Sequence, residues 1–475
     1  MKLRQTLRGA TTAGCVMALL AIGAGAQDYT HPKNMQLPAA TFERPDPAGM
    51  QHVLANGLTA YVAEDHRAPL ATITAYIGVG SGHGAAGAAE VLAAALRRGP
   101  AEMASGAFAN RLKELFADYN VSSGHEMTAI SLDVPVEHAG DALELLADTL
   151  IAPRFDAMEA SGPSRASSTP ESGIDYAYSL DGAIAQFEDA LFASHPFRRD
   201  GLAEPGVVRA LHAEAFRGGN ITVAFAGDFD AALARRELSA ALEELPAGDF
   251  EASPQSFPDL ATRSPRQLFL KDVNRDQGWV VIGHELPVVT EADEAALHVM
   301  DYILGAYHLD SRLLRNSRER RGLTNDNSSF LEPGVRGPGA YSLRTYGRPE
   351  AVRLLVDISF RELERMREEL PSDDELFVAR GALVDGLYAR RYATGLDAAQ
   401  AYAEEWLKYG SHDRSASYPD RVRAVSAEDV RTAARRYLHP ERMIVSVVGP
   451  LARIRAATAI EGEGQLERWG EVVER

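Results

Sequence analysis

The chain contains a single cysteine, and that residue lies near the N-terminus. Cys15 is the only thiol among 475 residues. It falls within a segment that has the features of an export signal, so the mature chain is expected to carry no thiol. A disulfide framework, a cysteine nucleophile and a cysteine-ligated metal site are therefore excluded for the mature protein.

The sequence also lacks a long hydrophobic run. The apolar stretch at 13–22 is well short of the roughly 20 residues that a membrane-spanning helix needs. Three basic residues precede this stretch, and the small residues AGA at 24–26 follow it. Residues 1–26 are therefore predicted to be a secretory signal peptide, cleaved after Ala26, and the mature protein is expected to be soluble and periplasmic.

Positive charge is scarce in this chain. It has 49 basic and 67 acidic side chains, which gives a formal net charge of −18. Removal of the signal takes away three basic residues and no acidic one, so the mature chain carries −21. This charge argues against binding to nucleic acids and to anionic membrane surfaces, because both repel an acidic protein. It is compatible with a solvated surface, or with an acidic cavity that attracts basic peptides.

An internal repeat indicates a duplication. Residues 208–214 read VRALHAE and residues 422–428 read VRAVSAE, 214 positions later. Two β-rich runs that end in glycine, at 221–227 and 443–449, lie 222 positions apart. We expect a helix between the heptapeptide and the β run in each copy, and the eight-residue difference predicts a shorter helix in the first copy.

Strand and helix patterns alternate irregularly in both halves. Asn56-Gly57 is a hairpin signal between two strand-like runs. A strand pattern at 70–79 leads into a helix pattern at 85–96, and the strand pattern at 279–284 leads into a helix pattern at 292–304. Because no regular βαβ alternation appears, each half is predicted to have an α+β fold, with a β-sheet covered by helices on one face.

Composition predicts the domain boundaries. Residues 249–266 contain three prolines and no periodic pattern, which is typical of a linker. The N-terminal domain is then predicted at 45–248 and the homologous C-terminal domain at 267–460. The last residues, 461–475, are predicted to form a tail.

An ordered series of short segments carries a family resemblance. The sequence has GAAEVLAAALRRG at 87–99, HPF at 195–197, GDFD at 227–230, SRL at 311–313 and RERRGL at 318–323. Their order and spacing resemble the two-domain subunits of the insulinase/pitrilysin family of zinc peptidases, which includes mitochondrial processing peptidases and bacterial two-subunit peptidases. The resemblance covers nearly the whole mature chain, and it implies two domains that face each other as a half-clamshell.

The zinc motif of that family is degenerate here. The motif is His-x-x-Glu-His on a helix, where two histidines one turn apart bind Zn²⁺ and the glutamate activates its water. The matching positions hold Glu90, Ala93 and Ala94, and a methyl group can neither bind metal nor accept a proton. The family's downstream glutamate ligand falls in the helix-hostile stretch 161–170, and Glu171 is out of register. No catalytic residue and no metal ligand are therefore expected.

Other metal or cofactor sites have little support in the sequence. No two of the 13 histidines are three or four positions apart, and His83, His125 and His284 are interpreted as structural or surface residues. Glu90 alone is interpreted as a paired or solvated carboxylate. GHGAAG at 82–87 matches the dinucleotide fingerprint G-x-G-x-x-G, but no strand ending in an acidic residue follows about 20 positions later. These glycines more simply predict a tight turn before a closely packed helix.

A candidate substrate-binding pair comes from the family resemblance. In the family, an arginine and a tyrosine seven positions apart in the C-terminal half hold substrate carbonyls near the zinc. Arg318 keeps the arginine position, whereas Asn325 stands where the tyrosine belongs. Arg318 is a candidate for binding a peptide carbonyl or carboxylate, and a solvated helix charge is the alternative interpretation.

The resemblance and the missing zinc residues together imply a non-catalytic subunit. We expect it to form a heterodimer, or a larger assembly, with a zinc-bearing paralogous peptidase subunit, and the two chains to enclose and degrade peptides. No cofactor is expected in this chain unless the partner supplies the zinc site. One alternative is a divergent active zinc metallopeptidase that uses Glu90 and unrecognised ligands. Another is a structural scaffold similar to the core proteins of respiratory complexes.

Overall fold

Two six-stranded β-sheets form the framework of the protein. The computed structural model describes residues 42–155, 180–193, 197, 203–250, 265–306 and 309–473. The strands of the first sheet are β1 (Gln51–Val53), β2 (Thr59–Glu64), β3 (Leu70–Ile77), β4 (Asp118–Ser123), β5 (Thr128–Pro135) and β6 (Ile221–Gly227). The strands of the second sheet are β7 (Gln267–Asp272), β8 (Gly278–Leu286), β9 (Asn327–Glu332), β10 (Gly339–Gly347), β11 (Ile444–Gly449) and β12 (Glu471–Val473).

Helices are distributed over both halves of the chain. The first half, up to residue 250, has α1 (Pro47–Met50), α2 (Ala88–Leu96), α3 (Ser105–Glu114), α4 (Ala139–Ile151), α5 (Leu180–Leu191), α6 (Pro205–Ala215) and α7 (Ala231–Leu242). The second half, from residue 265, has α8 (Glu291–Leu304), α9 (Arg312–Leu314), α10 (Val352–Glu368), α11 (Asp373–Gly381), α12 (Ala389–Arg391), α13 (Gly395–Tyr409), α14 (Asp413–Ala424), α15 (Ala427–Tyr437) and α16 (Leu451–Ala456). Two π-helical segments, Arg315–Glu319 and Ala382–Tyr388, interrupt the second half. Among the described residues, no helix combines the length and the apolar character that crossing a bilayer requires.

Five strands of one sheet correspond to five strands of the other. The order is β1-β2-β6-β3-β5-β4 in the first sheet and β12-β7-β11-β8-β10-β9 in the second. The pairs β2–β6 and β7–β11 are parallel, whereas β3 pairs antiparallel with β6 and β5, and β8 does so with β11 and β10. The central strand β6 is buried along its whole length, which explains its unbroken apolar sequence. The α+β class and the two homologous halves are thus confirmed.

The sixth strand differs between the two sheets. In the first sheet it is β1, which forms an antiparallel hairpin with β2 around the predicted Asn56-Gly57 turn. Gly57 has φ 92°, a left-handed conformation that favours glycine. In the second sheet the sixth strand is β12, which pairs in parallel with β7. The segment 461–475, predicted as a tail, therefore contributes a strand to the sheet.

The heptapeptide repeat does not mark equivalent positions in the two halves. Residues 208–214 lie inside α6, whereas 422–428 span the junction of α14 and α15. Helix α6 packs on α2, and its counterpart α15 packs on α8. The predicted short helix after the first copy is absent, because α6 ends at Ala215 and a 3₁₀ turn, Gly218–Asn220, leads into β6. Helices α6 and α15 have the same length of 11 residues. The eight-residue difference between the two separations, 214 for the heptapeptides and 222 for the β runs, therefore arises because the heptapeptides lie at different places relative to these helices.

Each half covers the other half's sheet with one helix. Helices of the same half cover one face of each sheet and form its apolar core. The opposite face of the first sheet is covered by α13, and that of the second sheet by α5. Small side chains on α13, such as Ala399 and Ala403, meet Ala224 and Ala226 of β6, so the helix can approach the sheet closely. Phe187 of α5 packs in the corresponding place on the second sheet.

The predicted domain boundaries stay a prediction. Residues 251–264, most of the proposed linker at 249–266, lie outside the described residues. The exchange of α5 and α13 means that each sheet is completed by a segment from the other half of the chain. The two halves therefore share apolar interfaces in addition to their own cores.

Candidate functional site

Helix α2 carries the positions of the degenerate zinc motif. Its alanine- and leucine-rich sequence favours a helix. Glu90 and Ala94 lie one turn apart on the same side of α2, and both are partly buried. Ala93, at the position of the catalytic base, is only 1% exposed and belongs to the apolar core of the first half. The base position is thus enclosed by core side chains.

These side chains do not fit a zinc ion. Protein zinc sites use three or four nitrogen, sulfur or oxygen ligands, and here Glu90 is the only one of the three motif positions that offers such an atom. Within the described ranges, no group of three or more His, Cys, Asp or Glu side chains is placed to hold a metal ion. The stretch 161–170 and Glu171 lie outside the described residues. No zinc chemistry can therefore be assigned to α2.

Two of the histidines noted in the sequence have structural hydrogen bonds. Nδ1 of His83 accepts from the main-chain N–H of Gly80 at 3.1 Å. Nδ1 of His284 lies 2.7 Å from the carbonyl oxygen of Glu285, to which it donates, and Nε2 accepts from the main-chain N–H of His439. Both rings are buried, and burial lowers the pKa of His83. These contacts are typical of neutral structural histidines.

The glycine-rich loop before α2 is explained by close packing. A Cβ on Gly82 would lie 2.5 Å from a ring carbon of Phe197, the last residue of the HPF segment. The His125 ring stacks on the same phenylalanine, with ring centroids 4.4 Å apart. Gly84 has φ 72°, which favours glycine for conformational reasons. The loop therefore has the tight-turn role that the sequence suggested.

The two candidate substrate-binding residues lie side by side in the second half. Arg318 sits in the π-helical segment Arg315–Glu319, and Nη1 of its guanidinium donates to the carbonyl oxygen of Asn325 at 3.3 Å. Both residues are exposed. The guanidinium thus already binds a peptide carbonyl, although one from its own chain. It is accessible for the carbonyl contact that the family resemblance implies.

The SRL segment has a structural role that the sequence did not reveal. Arg312 forms a bidentate ion pair with Glu375 of α11, with Nε and Nη2 at 2.7 and 2.9 Å from the two carboxylate oxygens. Burial acts to raise the pKa of Glu375, but the hydrogen bonds from Arg312 and Ser372 outweigh it and lower the pKa to about 2. The 63 positions between Arg312 and Glu375 explain why no local pattern indicated the pair.

A buried carboxyl group is a second feature that no sequence motif indicated. Asp301 of α8 is 6% exposed and accepts hydrogen bonds from Ser329 Oγ at 2.6 Å and from the Tyr341 hydroxyl at 3.0 Å. Burial raises the pKa of Asp301 to about 6, despite these two bonds, which lower it. In the sequence, Asp301 could be recognised only as a polar residue among the buried positions of the helix pattern at 292–304. Asp301 also lines a cavity of about 400 Å³.

One family model matches the middle of the chain. A family model described as the peptidase M16 inactive domain matches residues 204–383. This stretch begins just before α6 and ends in the second π-helical segment, so it includes Arg318 and Asn325 but not α2. No curated protein sequence matches the chain significantly.

Solved structures with low sequence identity share the fold. A peptidase M16 inactive domain from Pseudomonas fluorescens has a TM-score of 0.68 and 20% identity, over 84% of this chain and 98% of that chain. A protease from Helicobacter pylori has a TM-score of 0.68 and 16% identity, over 86% and 100% of the two chains. A chain of Complex III2 from Candida albicans, solved with Inz-5 bound, has a TM-score of 0.59 and 15% identity, over 85% and 96%.

Proposed function

We propose that this chain is a member of the peptidase M16 family with a degenerate zinc motif, and that it is the non-catalytic subunit of a two-subunit zinc peptidase. Its partner in this proposal is a zinc-bearing paralogue. The two chains form a clamshell around peptides, and only the partner holds the metal.

One observation carries the proposal. Ala93, at the position of the catalytic base, is part of the apolar core, and Ala94 replaces the second ligand. The rest of the framework is intact, with two six-stranded sheets of the same order. A chamber made of two facing chains needs the fold of both but the metal of only one. If only the partner subunit holds the metal, this chain is expected to lose its zinc residues and to keep its framework.

The peptide ligand and the compartment are further parts of the proposal. The net charge of −18 favours basic peptides over nucleic acids. Arg318 is exposed and already binds a main-chain carbonyl, so it offers a contact for an extended peptide. The periplasmic location rests on the predicted signal peptide at 1–26.

The test compares the mature chain alone with the reconstituted pair. The partner is a paralogue from the same genome that has an intact His-x-x-Glu-His motif. Alone, the chain should contain no stoichiometric zinc after dialysis and show no chelator-sensitive peptidase activity. The pair should copurify, bind zinc through the partner and cleave peptides faster than the partner alone. Stoichiometric zinc in the isolated chain, or a partner that is fully active by itself, would refute the proposal.

A scaffold function is the second candidate, and the similarity to a chain of Complex III2 from Candida albicans favours it. In that case the chain should copurify with a membrane-protein complex from detergent extracts, and deletion should impair assembly of that complex. Copurification with a soluble zinc peptidase instead supports the subunit proposal. Affinity purification of the tagged chain from both soluble and detergent fractions separates the two.

A further inference from the structure

A cavity of about 400 Å³ lies in the second half, away from α2. Its walls come from α8, from the π-helical segment Ala382–Tyr388 and from α12, α13 and α14. Pockets for small ligands typically have volumes of roughly 300–1,000 Å³. Departures from regular helix geometry such as π-helices occur often at functional sites. The size and the wall geometry are therefore those of a ligand site.

The cavity wall is largely aromatic and aliphatic. Five tyrosines contribute to it, namely Tyr302, Tyr388, Tyr392, Tyr409 and Tyr418, together with Leu331, Leu383 and Leu387. Aromatic rings bury a large apolar area and also contact the edges and faces of other rings. Such a wall favours an apolar or aromatic group over a strongly hydrated one.

One tyrosine in this wall has a hydroxyl group that lacks a partner. Tyr392 is 2% exposed, and its buried hydroxyl oxygen has no hydrogen-bond partner within the part of the chain that the structure describes. Leaving a buried hydroxyl without a partner is unfavourable. The oxygen is closed off from the cavity as well as from bulk solvent, so Tyr392 lines the cavity with its ring and offers no hydrogen bond to a ligand.

Two cations lie close together in the cavity wall. Lys408 Nζ and Arg391 Nη2 lie 2.5 and 3.3 Å from the two carboxylate oxygens of Glu404, so two cations share one carboxylate. The side chains of Lys408 and Arg391 are 33% and 48% exposed, and both line the cavity. An ion pair between partly exposed side chains contributes little to stability, and Glu404 alone does not neutralise both cations.

We propose that this cavity binds the C-terminal residue of a peptide, with its apolar or aromatic side chain among the tyrosines and its free carboxylate at Lys408 and Arg391. The inference rests on the proposed function, in which the chain binds peptides. It adds a subsite that recognises a chain end, on the second half of the molecule.

Binding of short peptides to the isolated mature chain tests the inference. The probes are the tripeptide Gly-Gly-Phe, the same peptide with a C-terminal amide, phenethylamine and 3-phenylpropionate, each titrated by calorimetry. Gly-Gly-Phe should bind roughly tenfold or more tightly than its amide, because the amide loses a charge-assisted hydrogen bond. Equal affinity for acid and amide, or preference for the amine, overturns the proposal. Binding of 3-phenylpropionate as tight as that of the peptide overturns the assignment to a peptide end.

One substitution locates the binding to this cavity. Lys408→Gln should weaken Gly-Gly-Phe binding several-fold and leave the amide unaffected. The matched control is Arg423→Gln, an exposed cation outside the cavity wall, which should change neither. Tyr392→Phe should keep or raise the thermal stability, because its hydroxyl has no partner to lose, and should leave peptide binding unchanged. Unchanged binding in Lys408→Gln overturns the proposal.

The peptide-binding experiment and the test of the subunit function can succeed or fail separately. A chain that binds Gly-Gly-Phe as described but does not activate any zinc paralogue refutes the subunit function and retains the subsite. A chain that activates its partner but shows no preference for a free carboxylate retains the subunit function and refutes the subsite.

Discussion

The carboxylate of Glu126 in the first half accepts a hydrogen bond from the main-chain N–H of Val335 in the second half, at 2.7 Å. The amides of Arg336 and Gly337 donate to the same carboxylate at 2.7 and 2.8 Å. Glu126 lies at the tip of the β4–β5 hairpin, and these amides lie at the tip of the corresponding β9–β10 hairpin. The equivalent hairpins of the two halves are thus joined by a carboxylate held in a ring of main-chain N–H groups.

Glu126→Ala should loosen this contact between the hairpins. Three N–H groups lose a charged acceptor, so the free energy of unfolding should fall by about 1–3 kcal/mol. Urea denaturation measures the loss, and faster hydrogen exchange at residues 335–337 locates it. Glu137→Ala is the control, because its side chain is 78% exposed. Equal stability of the two variants would show that solvent replaces the contact without cost.

Ala93→Glu, which restores the residue type of the catalytic base, should destabilise the protein. Ala93 is 1% exposed in the apolar core, and a buried unpaired carboxylate together with overpacking should cost about 3 kcal/mol or more. Ala94→Glu is the matched control, because its position is only partly buried and should tolerate the change much better. Thermal unfolding of both variants measures the difference. Equal melting temperatures would mean that space for a base remains next to α2.

Glu375→Gln should destabilise the protein at neutral pH. Arg312, whose side chain is 7% exposed, would lose its charged partner, and breaking a buried pair in this way costs about 3 kcal/mol. Because the folded pKa of Glu375 lies near 2, below its ordinary value, the stabilisation is complete above the ordinary pKa and is lost as the pH falls towards 2. The difference in urea midpoint between wild type and Glu375→Gln should therefore shrink in acid. Glu369→Gln, at a carboxylate 52% exposed, should show little effect at any pH.

Asp301→Asn should stabilise the protein at neutral pH and have little effect near pH 4. The folded pKa of Asp301 is raised to about 6 by burial, so the folded state favours the protonated form. The cost of ionising the buried group grows as the pH rises from about 4 to about 6, reaches about 2–3 kcal/mol and stays constant above. The asparagine oxygen can still accept from Ser329 and Tyr341. Unfolding free energies of wild type and Asp301→Asn, measured from pH 4 to pH 8, test this prediction. Asp420→Asn, at an exposed position, is the control. A difference between wild type and Asp301→Asn that does not vary with pH contradicts the prediction.

Arg318→Ala should weaken peptide turnover by the reconstituted pair. A charge-assisted hydrogen bond to a substrate carbonyl contributes about 1.5–3 kcal/mol, which corresponds to roughly 10- to 150-fold in kcat/KM. Asn325→Tyr should leave turnover unchanged or raise it, because Asn325 contacts Arg318 only through its main-chain carbonyl in the contact seen here. Steady-state assays of pairs with equal assembly provide the measurement. Indistinguishable kcat/KM values for wild type and Arg318→Ala would leave Arg318 as a solvated surface charge.

Local elements follow directly from the sequence. The predicted helix patterns at 85–96 and 292–304 correspond to α2 and α8, since residue periodicity and end signals are local properties. Helix α15, for example, begins with a capping box between Ser426 and Asp429. The replacement of motif residues by Glu90, Ala93 and Ala94 is likewise readable without any structure.

Periodicity failed where the chain departs from regular helix geometry. The sequence of residues 374–390 has the pattern of one continuous helix, but the structure divides this stretch into α11, a π-helical segment and α12. The likeness of 208–214 to 422–428 suggested an alignment that the packing of α6 and α15 does not support. In both places the local composition was helical, and contacts with other elements decided where the helix begins, widens or ends.

The sequence by itself determined the class of the fold, its two halves and the loss of the zinc ligands. Only the tertiary structure decided that α5 and α13 cover the opposite sheets, that Glu126 meets amides 209 to 211 positions away, and that Tyr392 lines a cavity. An apolar pattern shows that a face must be covered but not by which segment. Main-chain N–H groups, moreover, occur at every residue except proline. The sequence therefore does not indicate which of them bind a distant carboxylate.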